Sequence, residues 1–488
     1  MKIKLVLSEN GITGLGFRKI ATIAKEFDSS SEVYFVPGDN LSSFKSHLFP
    51  NREIGLTDKD IVTIADTLSD ADLLCFSAMT PDAKYVERII QEVRKRSTAY
   101  ILWGGTHCIL YPEEALKYAD AICTWEGEIS FKLFLENFES TDIPNIRYKD
   151  SQNIKTNFDR VDTKFYYGDA LIFENHGWRK LGNKEYMKYH GLTYRTIWSL
   201  GCPYMCSFCA NDAFIAINKN YKKIYYPPVD FIINEVKEGI KRYPFVKTVS
   251  FYDDNFIHIP LNFIKEFAEK YKKEINLPFA VFGVYPDLVD REKLEVLCNI
   301  GLNRVRMGIQ SGSQKTLKMY TRPTQLPVIK KAVQTLAELT KKYKMIPPAY
   351  DIISDNPLES REDCIETLNF IYTMARPFTL TIFSLRLFPK TKLWDIFKGH
   401  PLREGDTSYL NTHKTIYNSL LYLLAVCRPP LFIFNFLIKF IDKKSSILYF
   451  STRVLYFISR GLSHLKKFDF SNMTGTWVYY LWRIKKFL

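Results

Sequence analysis

Two long stretches of this 488-residue chain alternate short apolar runs with amphipathic segments, and few folds accept such a pattern. In residues 1–140 the pattern predicts strands at Lys2–Ser8, Glu32–Pro37, Asp72–Ser77, Tyr100–Trp103 and Ala119–Thr124. Helical spacing lies between them at Phe17–Phe27, Asp58–Ser69, Tyr85–Arg96 and Ile129–Phe138. Apolar strands in this rhythm form a parallel sheet covered on both faces. The fold class is therefore α/β, beginning with a Rossmann-like, doubly wound domain whose ligands sit beyond the carboxyl ends of its strands.

The second alternation spans residues 193–400. Its predicted strands are Tyr194–Leu200, Val246–Tyr252, Phe279–Tyr285, Arg304–Gly308, Ala349–Ser354 and Leu380–Leu387. Helices are expected at Val229–Tyr243, Leu261–Glu274, Arg291–Ile300, Leu326–Tyr343 and Arg361–Met374. Six such units suggest a partial (β/α)6, TIM-like barrel. Residues 141–192 are polar and aperiodic and read as a linker, and residues 401–488 read as a helical, basic, aromatic domain.

Composition excludes other classes. Hydrophobic residues make up 46% and charged residues 25%, which rules out a disordered or collagen-like chain. Nine Cys without a secretory signal argue against a disulfide scaffold and for a reducing, cytoplasmic setting. Between Pro401 and Leu488, thirteen Lys or Arg stand against four Asp or Glu, so +9 of the net +14 lies in that segment.

Three of the nine Cys fall directly after the first strand of the second alternation, as Cys202-x3-Cys206-x2-Cys209. Thiolates are soft ligands for zinc or iron–sulfur clusters. Zinc needs a fourth ligand, and no His or Cys follows within twenty residues of Cys209, so a zinc site would require a remote partner. A four-iron cluster on three thiolates keeps one iron open for an exogenous ligand. The other six Cys show no ligand spacing.

This spacing resembles the radical S-adenosylmethionine (SAM) superfamily, whose CxxxCxxC loop follows the first barrel strand. The resemblance implies a 4Fe-4S cluster on Cys202, Cys206 and Cys209 as both metal ligands and catalytic residues, with SAM chelating the open iron. Phe208 would lie against the adenine, and Asp253 and Asp254 would bind SAM's ammonium. Gln310 would meet the ribose, and Ser311 and Arg322 the methionine end. Helix capping is the plain alternative for either Asp, turn chemistry for Gly308 and Gly312, and a helix-start turn for Asp355-Asn356-Pro357.

The first domain resembles the cobalamin-binding domain of class B radical SAM methylases. The matching pieces are Ser77 to Thr80, Gly104-Gly105 with His107, Pro112 to Ala115, and Trp125-Glu126-Gly127-Glu128. By that resemblance Ser77, Thr80, Gly104, Gly105, His107, Glu126 and Gly127 contact the corrinoid, and Tyr204 its upper face. The lower-ligand motif DxHxxG is missing. His107 as a lower ligand competes with a loop histidine facing the nucleotide tail or solvent.

The C-terminal segment holds two apolar runs, Tyr417–Cys427 and Leu431–Ile441, split by Arg428-Pro429-Pro430. Neither reaches the ~20 residues of a spanning helix. Basic residues among aromatics in Leu448–Ile458 and Trp477–Ile484 suit an anionic bilayer surface, or an ordinary helical cap. No RNA-binding motif accompanies the charge, so nucleic acid is not an expected partner.

Together these readings imply a cobalamin-dependent radical SAM enzyme that methylates an unactivated carbon of a small-molecule or lipid substrate, with an external one-electron reductant such as a flavodoxin or ferredoxin. It would be cytoplasmic, with peripheral contact to the inner membrane face. Two alternatives stand beside it: radical chemistry that forms or rearranges rings or couples carbons without methylation, and a non-catalytic carrier of the cluster or cobalamin.

Overall fold

The computed structural model describes residues 1–9, 11–38, 55–149, 155–403 and 412–465. Trp477–Ile484 lies outside them. The described residues form two compact units that meet in sequence at Gly191 and Leu192.

The first unit is built on an eight-stranded sheet. Its strands are β1 (Ile3–Glu9), β2 (Glu32–Pro37), β3 (Leu73–Ala78), β4 (Tyr100–Gly104), β5 (Ala121–Cys123), β6 (Ile146–Tyr148), β7 (Leu171–Glu174) and β8 (Gly177–Lys180). They run in the order β6-β5-β4-β3-β1-β2-β7-β8. Pairing is parallel except at β5–β6 and β7–β8. The central strand β1 takes β2 on one side and β3 on the other, with Val6 opposite both Tyr34 and Phe76. That reversal is the topological switch point where doubly wound sheets open a crevice.

Helices cover both faces, which is why β1 is buried from Ile3 to Ser8. On one face Ile61, Ile64, Ile89 and Val93 pack over Leu74, Phe76, Ile101 and Trp103. The helix Asp58–Leu68 starts at a capping box, Thr57 with Asp60, which satisfies two orphan amides. The one buried lysine of the sheet, Lys4, is compensated by ion pairs to Glu32 at 3.3 Å and to Asp70.

The described residues of the expected linker, 141–149 and 155–191, are not a separate segment. They supply β6, β7, β8 and the helix Asn183–His190 to the first unit. These strands have only three or four residues, too short to show an alternation in sequence.

The second unit carries six parallel strands in sequence order: β9 (Thr193–Thr196), β10 (Thr248–Phe251), β11 (Phe279–Val284), β12 (Leu302–Gln310), β13 (Ala349–Ser354) and β14 (Thr379–Ser384). This is the expected partial barrel. Side chains alternate across each strand. One set turns outward: Phe251 and Phe279 pack on Phe267 and Tyr271 of the helix Leu261–Glu274. Register shifts occur at the start of β11 and near the carboxyl ends of β11 and β12. Such bulges re-aim the residues that follow them. The β12 shift leaves Gln310 at φ 75.

The helix Ile416–Val426 packs against β14 and against the helix Ser446–Leu465. Tyr456 Oη donates to the Leu380 carbonyl of β14 at 2.5 Å. The segment therefore covers the last strand of the barrel. No described helix is long and apolar enough to cross a membrane.

Candidate active site

The cysteine loop leaves β9 at Thr196 and is fixed from several sides. Leu200 and Tyr225 exchange backbone bonds of 2.8 and 2.9 Å. Gly201 sits at φ +106, and a Cβ there would stand 2.7 Å from the Tyr221 carbonyl, so only glycine fits. Ser207 N–H donates to the Tyr320 carbonyl at 3.0 Å, and the Leu393 amide donates to the Ser207 carbonyl at 3.1 Å. The three thiols are held at the carboxyl end of β9.

Burial pushes the Cys202 thiol up to about 12 and raises Cys206 and Cys209 as well. Each of the outer two feels Cys206 electrostatically. Buried thiols of this kind ionise only when a cation takes the charge. Among the described residues no three His, Cys, Asp or Glu side chains gather on a single-ion site. A four-iron cluster does not ask for that, since each thiolate binds a different iron. The donor set fits such a cluster.

Arg322 is the cation already present. It is buried, its Nη1 lies 3.6 Å from Cys206 Sγ, and its Nη2 donates to the Gly308 carbonyl at 2.7 Å. Its guanidinium stands 4.0 Å from the centre of the Tyr285 ring. On the same ring Tyr204 stacks at 3.6 Å and 5°. Both cannot occupy one face at those distances, so Tyr285 is sandwiched between Arg322 and Tyr204. Tyr285, at the end of β11, did not stand out in the sequence; its position just after an apolar strand was the available signal. The Arg322 guanidinium thus touches Cys206 of the three-thiol loop.

The adjacent carboxylates Asp253 and Asp254 part company. Asp253 is buried and accepts from Ser199 N–H and Ser199 Oγ, both at 2.5 Å, and from Trp198 N–H at 3.3 Å. Burial lifts its carboxyl to about 6, against those hydrogen bonds. Asp254 is exposed, accepts from Tyr221 Oη at 3.0 Å, and acts electrostatically on Cys202 and Cys209. Asp254 faces the thiols, whereas Asp253 ties the cysteine loop to the end of β10.

Ser311 is also engaged within the fold. Its Oγ lies 3.0 Å from Thr367 Oγ1 and accepts from Ser313 N–H at 3.1 Å. Gly312 belongs to the same junction, where a Cβ would come 2.6 Å from Phe370 Cβ. Beside it lies Glu359, which the sequence did not single out and which burial raises to about 7. Phe208 meets Tyr320 edge-on at 5.1 Å. Asp355, at φ 58, accepts from Asn418 Nδ2 at 2.8 Å and so anchors the C-terminal segment.

In the first unit the remaining candidates line the carboxyl ends of β1, β3, β4 and β5. Ser8 Oγ, Thr80 Oγ1, Trp103 Nε1 and both ring nitrogens of His107 are buried without a protein partner. Ser77 is half-buried at the end of β3. Orphaned polar atoms along a switch-point edge fit a group with its own donors and acceptors, and a corrinoid nucleotide tail is one. Gly105 lies at φ +95, and a Cβ there would stand 2.7 Å from the Ala78 carbonyl, so its close approach is to β3. Gly104 makes only ordinary contact with Cys123. Glu126 is clasped by Arg160, with Nε at 2.9 Å from both oxygens. Gly127 begins the helix Glu128–Glu136 and packs by Ile20.

His107 is neither on a loop nor turned to solvent. It lies in the helical turn Thr106–Leu110, stacked between Trp103 at 5.1 Å and Tyr111 at 5.2 Å. Burial lowers it to about 4, so it is neutral at pH 7.

Comparison with known proteins agrees with this geometry. Residues 196–371 match the Radical SAM superfamily. Over 280 residues the chain is 26% identical to the bacteriochlorophyllide d C-8(2)-methyltransferase of Chlorobaculum tepidum, covering 56% of this chain and 57% of that protein. The chain thus spans little more than half of that relative. An uncharacterized methyltransferase of Pyrococcus horikoshii is 23% identical over 370 residues, 70% of this chain and 72% of the relative. Among solved structures, the radical SAM methyltransferase TsrM of Kitasatospora setae, with cobalamin and a 4Fe-4S cluster bound, superposes with TM-score 0.61 at 14% identity, over 82% of this chain and 76% of its own. The cobalamin-dependent radical SAM enzyme OxsB, with aqua-cobalamin bound, gives TM-score 0.62 at 14% identity, over 99% and 84%. Residues 196–371 are therefore a radical SAM domain, a kind that works with SAM and a 4Fe-4S cluster, set in a chain with the fold of cobalamin-dependent radical SAM enzymes.

Proposed function

We propose that the protein is a cobalamin-dependent radical SAM methyltransferase that acts on an unactivated carbon. The observation that carries this reading is the loop of three thiols, Cys206 buried and Cys202 and Cys209 partly so, with the Arg322 guanidinium 3.6 Å from Cys206 Sγ. When bound, the cluster and SAM supply a 5′-deoxyadenosyl radical, and the corrinoid supplies the methyl group.

The chain's own residues bind and orient. Cys202, Cys206 and Cys209 hold three irons, and Arg322 offsets part of the thiolate charge. Asp254, not Asp253, receives SAM's ammonium by a charge-assisted bond. Gln310, re-aimed by the β12 bulge, takes the ribose, and Phe208 flanks the adenine. In the first unit Thr80, Ser77 and Ser8 take the corrinoid tail. Catalysis of this kind is largely positioning.

The exposed apolar residues Phe432, Phe436 and Ile447 lie on a segment with Lys439, Lys443 and Lys444, which supports peripheral contact with an anionic membrane and a lipophilic substrate. An external electron donor completes the scheme.

The test is anaerobic reconstitution with iron, sulfide and a corrinoid, followed by product analysis with a one-electron reductant. Methylated product with both S-adenosylhomocysteine and 5′-deoxyadenosine supports the reading. 5′-Deoxyadenosine without S-adenosylhomocysteine, or failure to retain a corrinoid, removes methyl transfer.

A further inference from the structure

Three short segments that carry lysine brace the cysteine loop. The turn Lys219–Lys222 lies against its start. There Cys202 N–H donates to the Tyr221 carbonyl at 3.0 Å, and a Cβ on Gly201 would stand 3.0 Å from the Lys223 carbonyl. The helix Gln314–Met319 holds its middle, where Ser207 Oγ donates to the Met319 carbonyl at 2.8 Å. The helix Lys392–Ile396 adds a third brace. Its Lys392 amide donates to Asp212 Oδ2 at 2.8 Å, and its Leu393 amide donates to the Ser207 carbonyl at 3.1 Å.

These contacts place Lys219, Lys222, Lys223, Lys318 and Lys392 beside the loop. All five are exposed, and none makes an ion pair with a described residue. The sixth lysine of the three segments, Lys315, pairs with Asp363 at 3.1 Å. The one acid on these segments is Asp395. Of the other acids near the loop, Asp212 is buried and Asp254 accepts from Tyr221 Oη at 3.0 Å.

Five ammonium groups without counter-charges make a positive rim, which attracts and orients an acidic partner. Two isoleucines are exposed in the same stretch of chain: Ile217, two residues before Lys219, at 36%, and Ile396, four after Lys392, at 56%. Apolar contacts within a charged rim suit a transient protein interface. Cys202 is itself partly exposed, so a partner seated here stands next to the thiols.

We infer that this rim is the docking surface for an acidic protein that carries single electrons. One electron leaves the carrier, which is oxidised, and reduces the cluster; no bond forms or breaks. The inference rests on the radical SAM reading, which requires an outside reductant.

The test uses an acidic flavodoxin and the reconstituted full-length protein. Oxidised flavodoxin should bind at about 50 mM NaCl, and its affinity should fall at least tenfold at about 500 mM as salt screens the rim. The variant Lys219→Glu/Lys222→Glu/Lys223→Glu should bind at least tenfold more weakly and be reduced more slowly by reduced flavodoxin. Photoreduced deazariboflavin, a neutral small reductant that needs no dock, should bleach its cluster at the wild-type rate. Lys241→Glu/Lys272→Glu/Lys273→Glu makes the same charge change in the last turns of two outer helices and should bind as wild type does. Should the first variant not fold, Lys318→Glu/Lys392→Glu puts the same question on other elements. Wild-type affinity in the rim variants, an equal loss in the control, binding indifferent to salt, or no flavodoxin binding at all would overturn the inference. So would a rim variant that loses binding to phosphatidylglycerol vesicles but keeps flavodoxin, since the rim would then belong to a membrane. A protein that assembles no four-iron cluster refutes the radical reading, while binding of oxidised flavodoxin still decides the surface.

Discussion

Arg322 Nη1 stands 3.6 Å from Cys206 Sγ while its Nη2 donates to the Gly308 carbonyl, so one buried guanidinium joins the cysteine loop to β12. On the proposed function this makes Arg322 a positioning group for the cluster. Replacing a partner of a metal ligand commonly costs about 10–100-fold in affinity or activity. Arg322→Gln is expected to retain less iron and to release 5′-deoxyadenosine at least tenfold more slowly. The cluster's midpoint potential should shift downward as positive charge is removed. Redox titration of the variant beside wild type checks this, and an unchanged potential with unchanged turnover would contradict it.

The two neighbouring carboxylates should separate in their effects. Asp254→Asn is expected to raise the SAM concentration for half-maximal cleavage with little change in melting temperature. Asp253→Asn should instead lower the melting temperature, because Asp253 receives three donors from Ser199 and Trp198. Its carboxyl is raised above the unfolded value to about 6, so the stability it contributes is present below pH 4 and is lost as pH rises through 6. Melting curves across that window should show the fall in wild type and not in Asp253→Asn.

His107 titrates in the opposite sense. Burial between Trp103 and Tyr111 lowers it to about 4 from 6.5, so its neutral form contributes stability above pH 6.5 that is lost as pH falls through 4. The full change is about 3 kcal/mol, at roughly 1.4 kcal/mol per pKa unit. His107→Phe keeps the stack and should remove that slope. Reconstituted with a corrinoid, it should retain the wild-type visible spectrum, whereas a spectrum altered at the cobalt would mean that His107 is a lower ligand.

Much of this was readable in the sequence, and the gaps have physical causes. β2, β13 and the helix Leu261–Glu274 match their predicted limits because apolar spacing and flanking Pro or polar residues mark both ends. β9 stops at Thr196, four residues early, because the chain leaves the sheet to pair Leu200 with Tyr225. The β7–β8 hairpin was missed because its turn is Asn175-His176, both at positive φ, where Asn-Gly would have announced it. The cysteine loop was legible because its chemistry is local. The roles of Asp253 and Asp254 were not, since adjacent residues look alike until the fold turns one inward. Tyr285 and Glu359 depend on contacts between segments far apart in the chain, and no window of sequence contains them.

The account stands or falls on the three thiols. The most direct measurement is 5′-deoxyadenosine formed from SAM by the anaerobically reconstituted, reduced protein, compared with Cys202→Ala, Cys206→Ala and Cys209→Ala. Wild type should bind about four irons per chain and release 5′-deoxyadenosine, and each variant should lose both. Zinc in place of iron in the wild type, or a variant that cleaves SAM as wild type does, would contradict it.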